Sequence, residues 1–123
     1  MEFDPLSKMV IGSAIEVHRS LGPGLLESSY HKCLCHELKL REISFESEAS
    51  LPIEYKGEVI DCGYRIDILF ERSLIVELKS VRSLELIHEA QLLTYLKLSG
   101  VGVGLLLNFN VLRMKDGIKR FVL

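Results

Sequence analysis

Asp67, Glu77 and Lys79 stand inside YRIDILFERSLIVELKS, residues 64–80, a stretch that reads as two apolar strands joined by a short polar turn. A carboxylate withdrawn from water is costly unless it is paired, hydrogen-bonded or bound to a cation, so all three need partners. By strand alternation, Tyr64, Ile66, Ile68 and Phe70 share one face of the first strand, with Arg65, Asp67 and Leu69 on the other. In the second strand Leu74, Val76 and Leu78 share a face, and Ile75, Glu77 and Lys79 its opposite. With the turn at 71–73, Phe70 lies opposite Leu74 and Asp67 opposite Glu77, β-carbons about 5 Å apart. A two-residue slip would keep the faces but set the carboxylates diagonally. Like charges at such range raise the pKa of one carboxylate unless a cation lies between them. Two readings follow. Lys79 and Arg65 could be the cations of a structural ion-pair network. Alternatively, carboxylate oxygens could hold a hard divalent metal, with Lys79 alongside to orient a water and offset charge on a phosphate.

Two other stretches add polar groups at helical spacing. HEAQLLTY puts His88, Gln91 and Tyr95 three and four residues apart, hence on one face of a helix that is otherwise apolar almost all round. GLLESSY puts Glu27 and Tyr30 on one face near a helix start, where a glutamate is also favoured simply by the helix dipole. Each signal alone is compatible with an ordinary structural role; together they define a candidate site.

The elements that must carry these residues can be read from periodicity. Leu6, Met9, Val10, Ala14, Val17 and Leu21 recur at helical spacing, and LGPG at 21–24 breaks that helix. A second helix is predicted over 25–40. The next forty residues alternate with period two, with turn signals at 51–52, 56–57 and 71–73, and predict a meander of three or four antiparallel strands. A third helix over 84–99 stops at Gly100, VGVGLLLNF is a buried strand, and IKRFVL a final one. The order predicts a single α+β domain over 1–123, its helices packed on a mixed central sheet.

Composition limits the partners. With 48% apolar and 26% charged residues the chain has the balance of a globular protein, and its 123 residues suit one core. A net charge of -2 lacks the basic surplus of a dedicated nucleic-acid binder. Cys33, Cys35 and Cys62 form no CxxC pair and read as reduced thiols. The acidic start MEFDP leads into no signal-peptide core, and no apolar run is long enough to span a bilayer, so a cytoplasmic location without a membrane partner is expected.

Gly24, Glu27 and Tyr30 match the GxxExxY signature, and AIEVHRSLGPGLLESSY and HEAQLLTYLKLSGVGVGLLLNFN resemble the small bacterial and archaeal proteins named after it. The resemblance extends over essentially the whole chain. Those proteins are grouped with the PD-(D/E)XK nuclease superfamily, so the resemblance implies a restriction-endonuclease-like core of helix, three-stranded antiparallel run, helix and further strand. It makes Glu27 the acidic residue of the opening helix, Asp67 the superfamily's Asp, and Glu77 and Lys79 its ExK. Gln91 and Tyr95 resemble the QxxxY motif of the RecB-like branch. Ile66 stands where the superfamily's name has proline, and Cys33 and Cys35 do not reproduce the cysteine set of iron-sulfur relatives.

The implied activity is metal-dependent hydrolysis of phosphodiester bonds, in DNA ahead of RNA, with Mg2+ or Mn2+ as cofactor. Asp67 and Glu77 would ligate the ion, with Glu27 joining directly or through water. Lys79 would position the attacking water, and Gln91 would orient substrate or Lys79. Tyr30, His88, Gln91 and Tyr95 would stand on the substrate side. The competing expectation is a catalytically inactive module that keeps the pocket for binding nucleic acid or a nucleotide, or for assembly into a homo-oligomer. The small acidic domain favours the second, and the intact residue set the first. Arg82, Lys115, Lys119 and Arg120 are candidate outer contacts for a nucleic acid.

Overall fold

Asp4 starts the first helix, α1 (Pro5–Leu21): its carboxylate accepts the Ser7 N–H, and Pro5 at the first helical position has no donor to lose. These atoms come from a computed structural model that describes residues 4–123; the first three residues of MEFDP lie outside the described residues. Gly22 ends α1 with φ 72 and Gly24 continues the turn with φ 98, conformations that a Cβ would strain. The second helix, α2 (Glu27–Leu40), begins two residues later than its periodicity predicts, and the loop before it is tied down by the Tyr30 hydroxyl.

Five strands make the main sheet: β1 (Glu46–Ser50), β4 (Arg65–Phe70), β5 (Leu74–Lys79), β6 (Val103–Asn108) and β7 (Ile118–Val122), in the order β1-β4-β5-β6-β7. The expected meander is present in β1, β4 and β5, where β4 is antiparallel to both β1 and β5. Its middle is diverted into a separate two-stranded hairpin, β2 (Ile53–Tyr55) and β3 (Glu58–Ile60). Lys56 and Gly57 turn that hairpin with φ 48 and 87, the paired positive values of a two-residue turn that matches strand twist. β5 and β6 run parallel, which requires a crossover, and the third helix, α3 (Leu86–Ser99), supplies it. β7 returns antiparallel to β6.

The result is an α+β fold with helices on both faces of a mixed sheet. Val10, Ala14 and Val17 of α1 and Tyr30, Leu34 and Leu38 of α2 pack with Ile68, Phe70, Val76 and Leu78. Leu92, Tyr95 and Leu96 of α3 pack with Ile66, Ile75 and Leu106 on the opposite side. α3 comes so close to β6 that a Cβ on Gly104 would sit 2.9 Å from Leu92.

One expectation from strand alternation fails. Ile66 and Ile68 do not share a face: Ile68 packs with α1 and α2, and Ile66 with α3. β1 makes the same switch, since Ser47 meets His31 of α2 while Ala49 joins the α3 cluster. The pairs Ser47↔Ile68 and Ala49↔Ile66 keep one register, so no residue is inserted. The change falls at Glu48 and Asp67, between those pairs, where Glu48 has φ 56. A left-handed residue inside a strand rotates everything after it, and both strands change faces together.

Candidate active site

The turn at 71–73 fixes the register of β4 and β5 with Phe70 opposite Leu74, as the apolar parity predicts. The backbone pairing reaches Ile68↔Val76 and stops one step short of Asp67 and Glu77. There the side chains take over. The Asp67 N–H donates to Glu77 Oε2 at 2.8 Å, and the Leu78 N–H donates to Asp67 Oδ2 at 2.8 Å. Each carboxylate thus replaces a rung of the ladder, which explains how two acids are tolerated in a core strand pair. One oxygen of each remains for another ligand.

Neither acid is comfortable as an anion. Glu77 is 4% exposed, and burial, with the nearby charge of Asp67, pushes its carboxyl up to about 8. Burial also raises Asp67, with the charge of Glu48 adding to it, while the Leu78 N–H, His31 and Lys79 act in the other direction. Glu27, in the first turn of α2, is raised by desolvation and then by Asp67, against Lys79 and His31. These mutual effects bring Glu27, Asp67, Glu77 and Lys79 into one electrostatic neighbourhood, although they come from three elements.

Lys79 Nζ donates to Gln91 Oε1 at 3.2 Å, and Gln91 Nε2 donates to Tyr95 Oη at 3.4 Å. The four-residue spacing on α3 therefore does what its pattern suggests: two polar groups on one helix face meet the end of β5. His88 lines the same cleft, but its Nδ1 accepts the Glu85 N–H as part of the helix cap.

Tyr30 requires a correction. It is fully buried, stacks on Phe109 with ring centroids 4.6 Å apart, donates to the Gly22 carbonyl at 2.5 Å and accepts the Leu25 N–H at 3.1 Å. With its ring covered and its hydroxyl engaged by the loop, it has no surface to offer a substrate. Its spacing from Glu27 is explained by this clasp: Gly24 turns the chain, Tyr30 ties the turn to the helix, and Glu27 is held at the helix start between them.

Two residues absent from the expected set join the site. His31, Glu48 and Asp67 each offer a ligand atom, all within 4.8 Å of one another, and among the described residues Glu27 and Glu77 stand outside this closest group. His31 Nδ1 lies 3.6 Å from Glu48 Oε1, and His31 Nε2 is 2.9 Å from Ser47 Oγ. His31 was within reach of sequence reasoning, being four residues after Glu27 and so on the same helix face. Glu48 was not, since its orientation depends on the irregularity in β1.

The donor set fits a hard divalent cation: it is oxygen-rich, partly buried and burdened with carboxylates that a positive ion would relieve. The carboxylates suit Mg2+ or Mn2+, while the His31 imidazole is a donor more typical of later first-row transition ions.

The family model of the PD-(D/E)XK nuclease superfamily matches residues 4–121, and the chain belongs to that superfamily. Its mixed five-stranded sheet with flanking helices is the corresponding restriction-endonuclease-like α+β fold. A solved structure titled "Crystal structure of SSO0001" is similar over 96% of this chain and 77% of that chain, at 20% identity and a TM-score of 0.42. No curated protein matches. Among the described residues no helix is long and apolar enough to cross a membrane.

Proposed function

We propose that the chain is a divalent-metal-dependent nuclease that hydrolyses phosphodiester bonds of DNA, and that it belongs to the GxxExxY group, with Gln91 and Tyr95 as a RecB-like QxxxY pair. The observation that carries this reading is the exchange of carboxylates between Asp67 and Glu77, beside Lys79, at the point where the β4–β5 pairing stops. A structural ion-pair network would spend Lys79 on the acids. Here Lys79 is held by Gln91 instead, leaving the carboxylates with backbone donors and a surplus of negative charge.

Asp67 and Glu77 would hold Mg2+ or Mn2+, with Glu48 and His31 closing the coordination on the β1 and α2 side and Glu27 reaching it directly or through water. The ion would polarise a phosphoryl oxygen and lower the pKa of an attacking water. Lys79 would orient that water and offset charge on the scissile phosphate. Gln91 would fix the direction of the Lys79 ammonium, and Tyr95 would support Gln91.

The test is cleavage of end-labelled single- and double-stranded DNA with Mn2+, Mg2+ or EDTA, using wild type, Glu77→Gln and Lys79→Ala. Metal-dependent cleavage lost in Glu77→Gln, and reduced on the order of a hundred-fold or more in Lys79→Ala with Mn2+ binding retained, is the expected result. Unchanged metal binding in Glu77→Gln, or cleavage in EDTA, overturns it.

A further inference from the structure

A cleft of about 520 Å³ opens beside Lys79, between the outer face of α3 and the segment carrying β2 and Tyr64. Its walls are mostly apolar and aromatic, with Ile53, Tyr64, Ile87, Tyr95 and Leu98 lining it; Lys79, His88, Gln91 and Thr94 are the polar side chains. Tyr64 and Tyr95 meet edge to face, with centroids 6.2 Å apart and planes at 63°. In that arrangement Tyr64 remains 45% exposed. A second cleft of about 510 Å³ includes His31 and Glu48, and there Lys32, His36 and Lys39 of α2 also line it, with Ser47 of β1. The two clefts differ in chemistry. One offers stacking surface with the Lys79 ammonium beside it, and the other offers Lys32 and Lys39 beyond the His31 and Glu48 pair.

We propose that the cleft beside Lys79 seats an unpaired nucleobase, so that the substrate is a single-stranded nucleic acid whose backbone continues past the basic side chains of α2. The inference rests on the nuclease reading in setting the phosphodiester at Lys79, and it names the substrate class for that site. A phosphate gains nothing from walls of Ile53, Tyr64, Ile87 and Leu98, whereas every base has a face that can stack on an aromatic ring. A base already paired and stacked in a duplex cannot enter a recess next to its own phosphate without first being unpaired and unstacked. The acidic total of the chain points the same way. A net charge of -2 leaves little general attraction for a duplex, so affinity has to come from stacking and a short cationic track.

Fluorescence anisotropy in Ca2+, with the full chain, compares a DNA single strand, its RNA counterpart, the paired duplex, and a single strand of abasic tetrahydrofuran nucleotides. The single strand should bind about ten-fold or more tightly than the duplex, and than the abasic strand. Tyr64→Ala should lose about ten-fold on the single strand alone, and Tyr64→Phe should keep wild-type affinity. The DNA and RNA arms identify the sugar. Equal binding of the base-bearing and abasic strands, or duplex preferred over single strand, overturns the inference without using any variant. The nuclease reading is tested separately: Mn2+-dependent cleavage of the abasic strand, which has phosphodiesters and no bases, should persist in Tyr64→Ala and vanish in Glu77→Gln. Absence of that cleavage, together with none on any base-bearing strand, removes the nuclease reading and with it the phosphodiester on which the base seat depends.

Discussion

Asp67 and Glu77 bind each other's strands through backbone: the Asp67 N–H donates to Glu77 Oε2, and the Leu78 N–H, next to Glu77, donates to Asp67 Oδ2. The two acids are thus built into the sheet as hydrogen-bond acceptors, while their charges oppose each other. This is a strained arrangement electrostatically and a satisfied one in hydrogen bonding.

The first prediction concerns pH. Glu77 has a folded-state pKa near 8, above its ordinary 4.5, so its contribution to stability is full below the ordinary value and is lost as pH rises through about 8. The metal-free protein should therefore melt at a lower temperature at about pH 8.5 than at about pH 5. Glu77→Gln should flatten most of that dependence. Mn2+ should reverse it, because the ion binds the deprotonated carboxylates and stabilises by about 2.7 kcal/mol at a hundred times its Kd. Melting curves in EDTA and in Mn2+ check both statements; a variant with the same pH slope as wild type would count against the assignment to Glu77.

Glu48 supplies the second. Its φ of 56 is unfavourable for a side chain that is neither Gly nor Asn, and its charge helps to raise Asp67. Replacing it by Asn should stabilise the metal-free protein by roughly 0.5–1 kcal/mol and weaken Mn2+ binding. Calorimetric titration with Mn2+ alongside denaturant unfolding separates the effects. A variant that gains stability and keeps full Mn2+ affinity would remove Glu48 from the ligand set.

Gln91 touches Lys79 and Tyr95 rather than the carboxylates. Gln91→Ala should therefore lower kcat by about ten-fold while leaving Mn2+ affinity unchanged. Gln91→Glu should restore most of the rate, because a carboxylate oxygen can accept the same Lys79 bond. Loss of metal affinity in Gln91→Ala would mean that the glutamine supports the ligands and not the lysine.

Tyr30→Phe tests the loop clasp. Removing the hydroxyl strips the Gly22 carbonyl and the Leu25 N–H of a partner, and should cost about 1–3 kcal/mol in chemical denaturation. Affinity for single-stranded DNA should be unaffected under conditions where the fold is intact. A variant of normal stability and reduced affinity would return Tyr30 to the substrate side.

The sequence by itself determined the three helices, the succession of helices and strands along the chain, and the parity of the β4–β5 pairing. These depend on local rules: apolar spacing, the breaks at 21–24 and at Gly100, and the turn at 71–73 next to two strands whose apolar faces admit one parity. Asp67, Glu77 and Lys79 were legible because charges in such strands demand partners, and Gln91 because a polar residue on an apolar helix demands the same. Only the tertiary structure decided that β1 pairs with β4 across an intervening hairpin, a contact that no short window contains. It also decided that Glu48 takes a left-handed backbone and that the strands change faces there, bringing His31 and Glu48 to Asp67. Alternation assumes an unbroken pleat, and here the packing of two cores on opposite faces overrides the intrinsic preference of one residue. The same packing buried Tyr30, whose spacing from Glu27 is equally compatible with reaching a substrate and with closing a loop.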